Sequence, residues 1–284
     1  MKLLGYIAIL LFLLQIAGCG TLGHRGRHYG KDGPPPFDVD VSKIPDAVPK
    51  VGPYSKYGNP PSYFVKGHRY YVLKSSIGFE ERGIASWYGM KFHKQRTSSG
   101  EPYNLLAMTA AHRTLPLPTY MLVTNLQNGR HVIVKVNDRG PFAENRIMDL
   151  SYVAAKKLGI TAHGTGLVDI KAIDPTHPDR VLSQLSSSYV STQPHNIHDV
   201  VNHPASVHSR LYLQLGAFSS HSNAQKLASK IYQHAAYPVH IKASTSGHTL
   251  YRVQIGPIPS VEASDKLVNQ IEHAGLGKPL TVIE

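Results

Sequence analysis

Between Trp87 and Ser151 the chain carries the residues best suited to proton transfer: Glu101 in TSSGEPY, His112 in TAAHRTLP, Asp138 in VNDRGPF and Asp149 in IMDLS. Carboxylates and imidazole are the usual side chains for general acid–base work. Glu101 and Asp138 stand near glycines in turn-like contexts, not in the charge pattern of a solvated helix. Loops on a rigid scaffold often carry functional groups. Each residue also has a plain structural use. Asp138 in Asp-Arg-Gly suits an Asx turn, and Asp149 ahead of Ser151 suits a helix start, where the dipole favours an acid. Arg139 can pair with Glu101 or Asp149, or touch a substrate. Trp87 and Tyr88 are either stacking platforms for sugar rings or core aromatics. Residue types alone leave these alternatives open.

The elements around them are short and mostly extended. Met121–Leu126 and His131–Val136 flank Asn128-Gly129, which predicts a tight hairpin with a type I′ turn. The run 151–158 reads as a short helix, capped by Ser151 and ended by Gly159. Val168–Ile173 adds a strand. Many short strands with one or two helices argue for a small β-barrel, here assigned to residues 63–175. Residues 176–209 drift to Ser, His, Pro, Asn and Thr and read as a linker. His195, His198, His203 and His208 lie in it, at spacings that fit no compact metal site. Residues 210–284 form a second unit in the order βαββαβ. That order implies an antiparallel sheet with both helices on one face and the other face free.

The N-terminus sets the compartment. Lys2, an apolar run from Leu3 to Ile16 and the small residues before Cys19 describe a secretory signal over residues 1–18. Small residues ahead of the chain's single cysteine resemble a bacterial lipobox, which implies a lipid-modified Cys19. An ordinary signal peptide with an incidental cysteine is the plainer reading. Gly20 in place of an aspartate favours the outer membrane over inner-membrane retention. Residues 19–62, rich in Gly, Pro and charge, read as a membrane tether. The net charge of +12 points to an anionic partner. Secretion argues against nucleic acid and for the cell wall or anionic lipid.

The run GIASWYGMKFHKQRTSSGEPYNLLAMTAAHRTLPLP, continued by VTNLQNGRHVIVKVNDRGPFAENRIMDLSYVAAKKLGI, resembles the rare lipoprotein A family of septal peptidoglycan-cleaving proteins. The C-terminal unit resembles a SPOR domain through YLQLGAFSSHSNAQKLASKI and YRVQIGPIPSVEASDKL. Together these resemblances imply a double-psi β-barrel followed by a βαββαβ SPOR domain. The implied activity is that of an endolytic lytic transglycosylase, which cuts MurNAc–GlcNAc bonds to leave 1,6-anhydro ends. Neither a metal nor a cofactor is implied. One carboxyl with a raised pKa can protonate the leaving oxygen and then deprotonate the C6 hydroxyl. By match to the family motifs, Asp138 is that acid/base, and Glu101 and His112 are the other residues tied to activity. Lys94 and Ser98-Ser99 depart from the usual family pattern, without touching those three.

For the SPOR unit the resemblance implies binding to glycan strands stripped of stem peptides, with Gln214, Phe218, Arg252 and Gln254 as candidate contacts. Tyr251 points the opposite way along its strand and is the weakest of that set. Possible partners at the septum are other division proteins. The rival reading is a non-catalytic, expansin-like glycan-binding lipoprotein; a hydrolase and a structural tether to the wall are further ones.

Overall fold

The computed structural model describes residues 32–143, 145–181, 183, 209–244 and 249–284. The signal sequence, Cys19 and the four linker histidines lie outside the described residues. An antiparallel hairpin comes first, β1 (Ser62–Val65) and β2 (His68–Tyr71), turning through Lys66 and Gly67 at φ of 49° and 81°. Six strands then close a barrel: β3 (Glu80–Tyr88), β4 (Thr109–His112), β5 (Thr119–Asn125), β6 (His131–Asp138), β7 (Arg146–Ser151) and β8 (Thr165–Ile173). The order around it is β3-β7-β4-β6-β5-β8. The β3/β7 and β4/β6 pairs are parallel and the other pairs antiparallel, the double-psi arrangement.

Side-chain alternation builds the interior. Val132, Val134 and Val136 of β6 are buried, and β7 contributes Met148 and Leu150 at 0 % exposure. Complete burial of side chains this size stabilises by about 2 kcal/mol each. Helix α1 (Tyr152–Leu158) follows β7 directly, with the Ser151 hydroxyl accepting the Ala154 N–H and Gly159 ending it at φ 77°. The hairpin between β5 and β6 is wider than its Asn-Gly pair predicts. Residues 126–130 form the loop, and only Gly129 takes a positive φ. The reason is tertiary: Asn125 and Asn128 both donate side-chain N–H to the Leu158 carbonyl at the end of α1.

The stretch expected as a tether packs on the barrel from residue 32 onward. Val39, Val41, Ile44 and Ala47 lie against the core, Lys156 pairs with Asp38, and Lys157 pairs with Asp46 at 2.7 Å. Asp46 also takes the Ile133 N–H at 3.0 Å. Composition hid this because the contacts come from scattered residues, not a periodic face.

The second domain follows the expected order: β9 (Leu211–Phe218), α2 (His221–Tyr232), β10 (Val239–Ser244), β11 (Leu250–Ile258), α3 (Val261–His273) and β12 (Leu280–Ile283). Its sheet is antiparallel, in the order β10-β11-β9-β12. Leu213, Val253 and Ile255 are fully buried in its core with Ile231 of α2 and Ile271 of α3.

Candidate active site

Strand register assembles the site. Ser86 on β3 pairs with Asp149 on β7, Asp149 pairs with Ala111 on β4, and Ala111 pairs with Asp138 on β6. Cross-strand partners share a face, so these four residues form one row, with a small alanine between two carboxylates. Two strand spacings separate the acids, about 10 Å between Cα atoms. Two irregularities produce the row. Register shifts fall between Ile84 and Ala85 against β7, and between Ala110 and Ala111 against β6. The second leaves Asn137 unpaired and turns Asp138 to the face opposite Val136, the kind of re-aiming that β-bulges provide beside active sites.

The two acids sit in opposite environments. Asp138 Oδ1 accepts the Ser98 N–H at 2.8 Å, the Ser98 hydroxyl at 2.7 Å and the Arg139 N–H at 2.7 Å. Three donors converge on this one oxygen and fix the side chain in place. Asp149 is largely enclosed, and burial pushes its carboxyl above the usual range, against the opposing pull of the Ser86 hydroxyl bond. Asp138 adds a further upward push through its charge. Asp149 is therefore not the helix-start acid expected, since Ser151 caps α1 alone. Gly140 adopts φ 133°, which disfavours any side chain. A Cβ there would lie 3.9 Å from both Ala111 and Asp149 Oδ2, inside the space between the acids.

Glu101 lies at the rim of this region. Lys135 Nζ donates to it at 2.7 Å and Asn137 Nδ2 at 2.9 Å. Burial alone would raise its carboxyl, but these bonds hold it below the usual range. It is a fixed anion that anchors the 97–101 turn carrying Ser98. His112 is turned away from the acids and only 3 % exposed. Its Nδ1 accepts the Thr114 and Leu115 N–H groups, at 3.2 and 3.1 Å, so the proton sits on Nε2, facing Glu81 at 3.6 Å. Burial lowers its pKa and keeps it neutral. The ring shapes the 112–115 turn, whose carbonyls receive Arg139.

Among the described residues, Arg139 forms no salt bridge with a carboxylate. It donates to the Gly58 carbonyl through Nε at 2.9 Å and Nη2 at 2.7 Å, to Asn59 Oδ1 at 3.1 Å, and through Nη1 to the carbonyls of His112 and Leu115. It ties three segments together behind Asp138. Arg139→Met should orphan these acceptors and destabilise by about 3 kcal/mol, lowering the melting temperature by roughly 10 °C. Calorimetry checks this; an unchanged melting temperature with a raised KM would make Arg139 a substrate contact.

Trp87 packs edge-on against Tyr152, and Tyr88 stacks on Tyr103 with ring centroids 4.0 Å apart. Both rings belong to the packing around the barrel core. In the second domain Gln214 and Gln254 are cross-strand partners, and Arg252 is exposed beside Lys242. Gln254 is 1 % exposed, with Oε1 lacking a partner among the described residues. Phe218 departs from expectation. A bulge at Leu215 shifts the phase, so Phe218 pairs with Tyr251 on the helix-facing side. A Cβ on Gly216 would strike the Phe218 ring at 2.8 Å and lie 3.3 Å from Leu227 of α2.

Ser86, Ser98 and Ala111 are the site residues that residue-type reasoning missed, and Asp149, seen as an acid, is assigned by it to the helix start. The available signal was two aspartates eleven positions apart, at the ends of successive strand-like runs.

Comparison with known proteins agrees with this architecture. A family described as lytic transglycolase matches residues 80–171, and the SPOR domain family matches residues 208–280. A Pseudomonas aeruginosa protein named endolytic peptidoglycan transglycosylase RlpA is 40 % identical over 304 aligned positions, covering 94 % of this chain and 88 % of its own. The chain belongs to the RlpA family. Its Vibrio cholerae RlpA relative is 36 % identical, with 94 % and 92 % covered. The Neisseria meningitidis RlpA is 54 % identical over 114 positions, 40 % of this chain and 48 % of that protein. The crystal structure of the RlpA SPOR domain from P. aeruginosa covers 25 % of this chain and 96 % of that one, at 37 % identity and a TM-score of 0.25.

Proposed function

We propose that this protein is an endolytic peptidoglycan lytic transglycosylase, with Asp149 as acid/base and Asp138 as the second carboxylate of the site. The observation that carries the division of labour is the shared row of two carboxylates: burial pushes the Asp149 carboxyl up, while Asp138 is held in place by three donors. A carboxyl raised by burial is suited to hold and deliver a proton. Protonated Asp149 gives its proton to the glycosidic oxygen as the C1–O bond breaks. The muramyl C6 hydroxyl oxygen closes onto C1 on the same face, and the Asp149 carboxylate takes that hydroxyl's proton. The carboxyl thus begins and ends protonated, and no water is consumed. Asp138 faces the developing oxocarbenium charge. This reading moves the acid/base role from Asp138, where the family motif put it.

The SPOR domain would hold the enzyme on glycan strands stripped of stem peptides, with Arg252 and Gln214 on its helix-free face. A lipid on Cys19 would tether it to the outer membrane, facing the periplasm, and the SPOR domain would enrich it at the division septum.

Incubation of the full-length protein with sacculi, followed by mass spectrometry of released glycans, tests the reaction. Anhydro ends are the expected product. Reducing ends would make it a hydrolase, and binding without products would make it a glycan-binding lipoprotein. Ser86→Ala gives a second check. Removing the Ser86 donor destabilises the Asp149 anion and raises its pKa. The alkaline limb of the kcat–pH profile, where the acid loses its proton, should move to higher pH. A limb that stays put would detach Asp149 from it.

A further inference from the structure

A second polar feature lies beside the acids and has no part in the mechanism above. Lys66 and His68 of the β1–β2 hairpin line a cavity of about 300 Å³, together with Tyr70, Arg113, Phe142 and Lys278. No carboxylate lines it. Among the described residues, Lys66, His68 and Arg113 enter no ion pair, although the barrel offers acids nearby, and Lys278 has an interaction of its own. Glu81 lines the neighbouring cavity that Arg113 also borders, but in this one Lys66 and Arg113 face a space with no carboxylate in its lining, which favours a visiting anion.

The cavity adjoins the carboxylate row. Phe142 packs at a tilt against Tyr70, 5.7 Å between centroids, and both rings line the cavity. The Phe142 ring comes within 3.8 Å of the point where a Gly140 side chain would begin, and Asp149 Oδ2 lies 3.9 Å from that point. One aromatic ring therefore separates the acid from the cations. Muramic acid presents a matching pattern. Its lactyl ether on C3 ends in a carboxylate, about one sugar ring from C1. In intact wall that carboxylate is bonded in an amide to the stem peptide; in stripped strands it is free and charged.

We propose that Lys66, Arg113 and His68 form a carboxylate subsite that reads the free lactyl group of the muramyl residue being cleaved. The inference rests on the transglycosylase reading and adds a reason for selectivity within the catalytic domain itself. Arginine binds a carboxylate through two parallel N–H bonds, and lysine adds a point charge. An amide at the same position offers no charge and brings the bulk of a peptide against Phe142 and Tyr70.

The test uses the full-length protein and three substrates: amidase-stripped strands, the same strands with lactyl carboxylates coupled to methylamine, and intact peptide-bearing sacculi. Anhydro ends are counted over a range of substrate concentrations. The wild type should show a KM roughly tenfold higher on methylamide strands than on stripped strands. A Lys66→Gln/Arg113→Gln variant should show the high KM on both, with kcat unchanged. Equal KM values for the wild type, or a variant that still discriminates, would overturn the subsite. So would a variant that loses activity on peptide-bearing sacculi as much as on stripped strands, since the carboxylate read would then be the stem peptide's. If the wild type releases no anhydro ends from anything, the transglycosylase reading fails. Equilibrium binding of wild type and variant to stripped and methylamide strands then decides the subsite alone. Carboxylate-dependent binding lost in the variant supports it, and unchanged binding overturns it.

Discussion

Asp149→Asn is expected to remove anhydro-ended products, lowering kcat roughly a thousandfold through loss of acid–base catalysis. The amide has the shape of the acid and can still bond the Ser86 hydroxyl, so the register of β3 with β7 is undisturbed. The buried site also no longer has an ionisable group to keep neutral. KM and the melting temperature should therefore stay near wild type. Product analysis by mass spectrometry with parallel calorimetry measures both. Near-normal turnover by Asp149→Asn, with an inert Asp138→Asn, would return the acid/base role to Asp138.

Asp138→Asn is expected to lower kcat about a hundredfold, the scale for removing one preorganised electrostatic group. The side-chain oxygen of asparagine can still accept the bonds from Ser98 and Arg139, so only the charge is lost. Asp138→Ala should differ. It strands three donors that now share Oδ1 and should add about 3 kcal/mol of destabilisation. Comparing melting temperatures of the two variants separates charge from structure. The pH profile separates the acids: Asp138→Asn should keep an alkaline limb, shifted to lower pH, because its charge helps hold the Asp149 carboxyl protonated. A limb that vanishes with Asp138→Asn would assign the titration to Asp138 instead.

In the proposed mechanism His112 and Arg139 act through the fold around the acids and not through the substrate. His112 orders the turn that receives Arg139, and Arg139 fastens that turn to Gly58 and Asn59 behind Asp138. Loss of either would displace the acid without removing any chemistry from the row.

The sequence by itself determined the two-domain order, the barrel strands around the Asn-Gly hairpin, the caps of α1 and the βαββαβ succession. All of these follow from period-two alternation, turn chemistry and capping, which act over a few residues. The family motifs also brought Glu101, His112 and Asp138 to notice, with Asp138 standing in the row that carries the proposed mechanism. Tertiary structure decided what each of them does. Alternation along β6 would place Asp138 with Val136, and only the unpaired Asn137 turns it toward Ala111 and Asp149. The same kind of bulge at Leu215 takes Phe218 to the helix side. A one-residue slip reverses every following side chain, and nothing in the local sequence announces it. Burial of Asp149, the three donors on Asp138 and the meeting of Lys66 with Arg113 behind Phe142 likewise come from strands and loops distant in the chain. Charge environment is a property of the assembled neighbours, so the burial that raises the Asp149 carboxyl, on which the proposed chemistry rests, comes only from the fold.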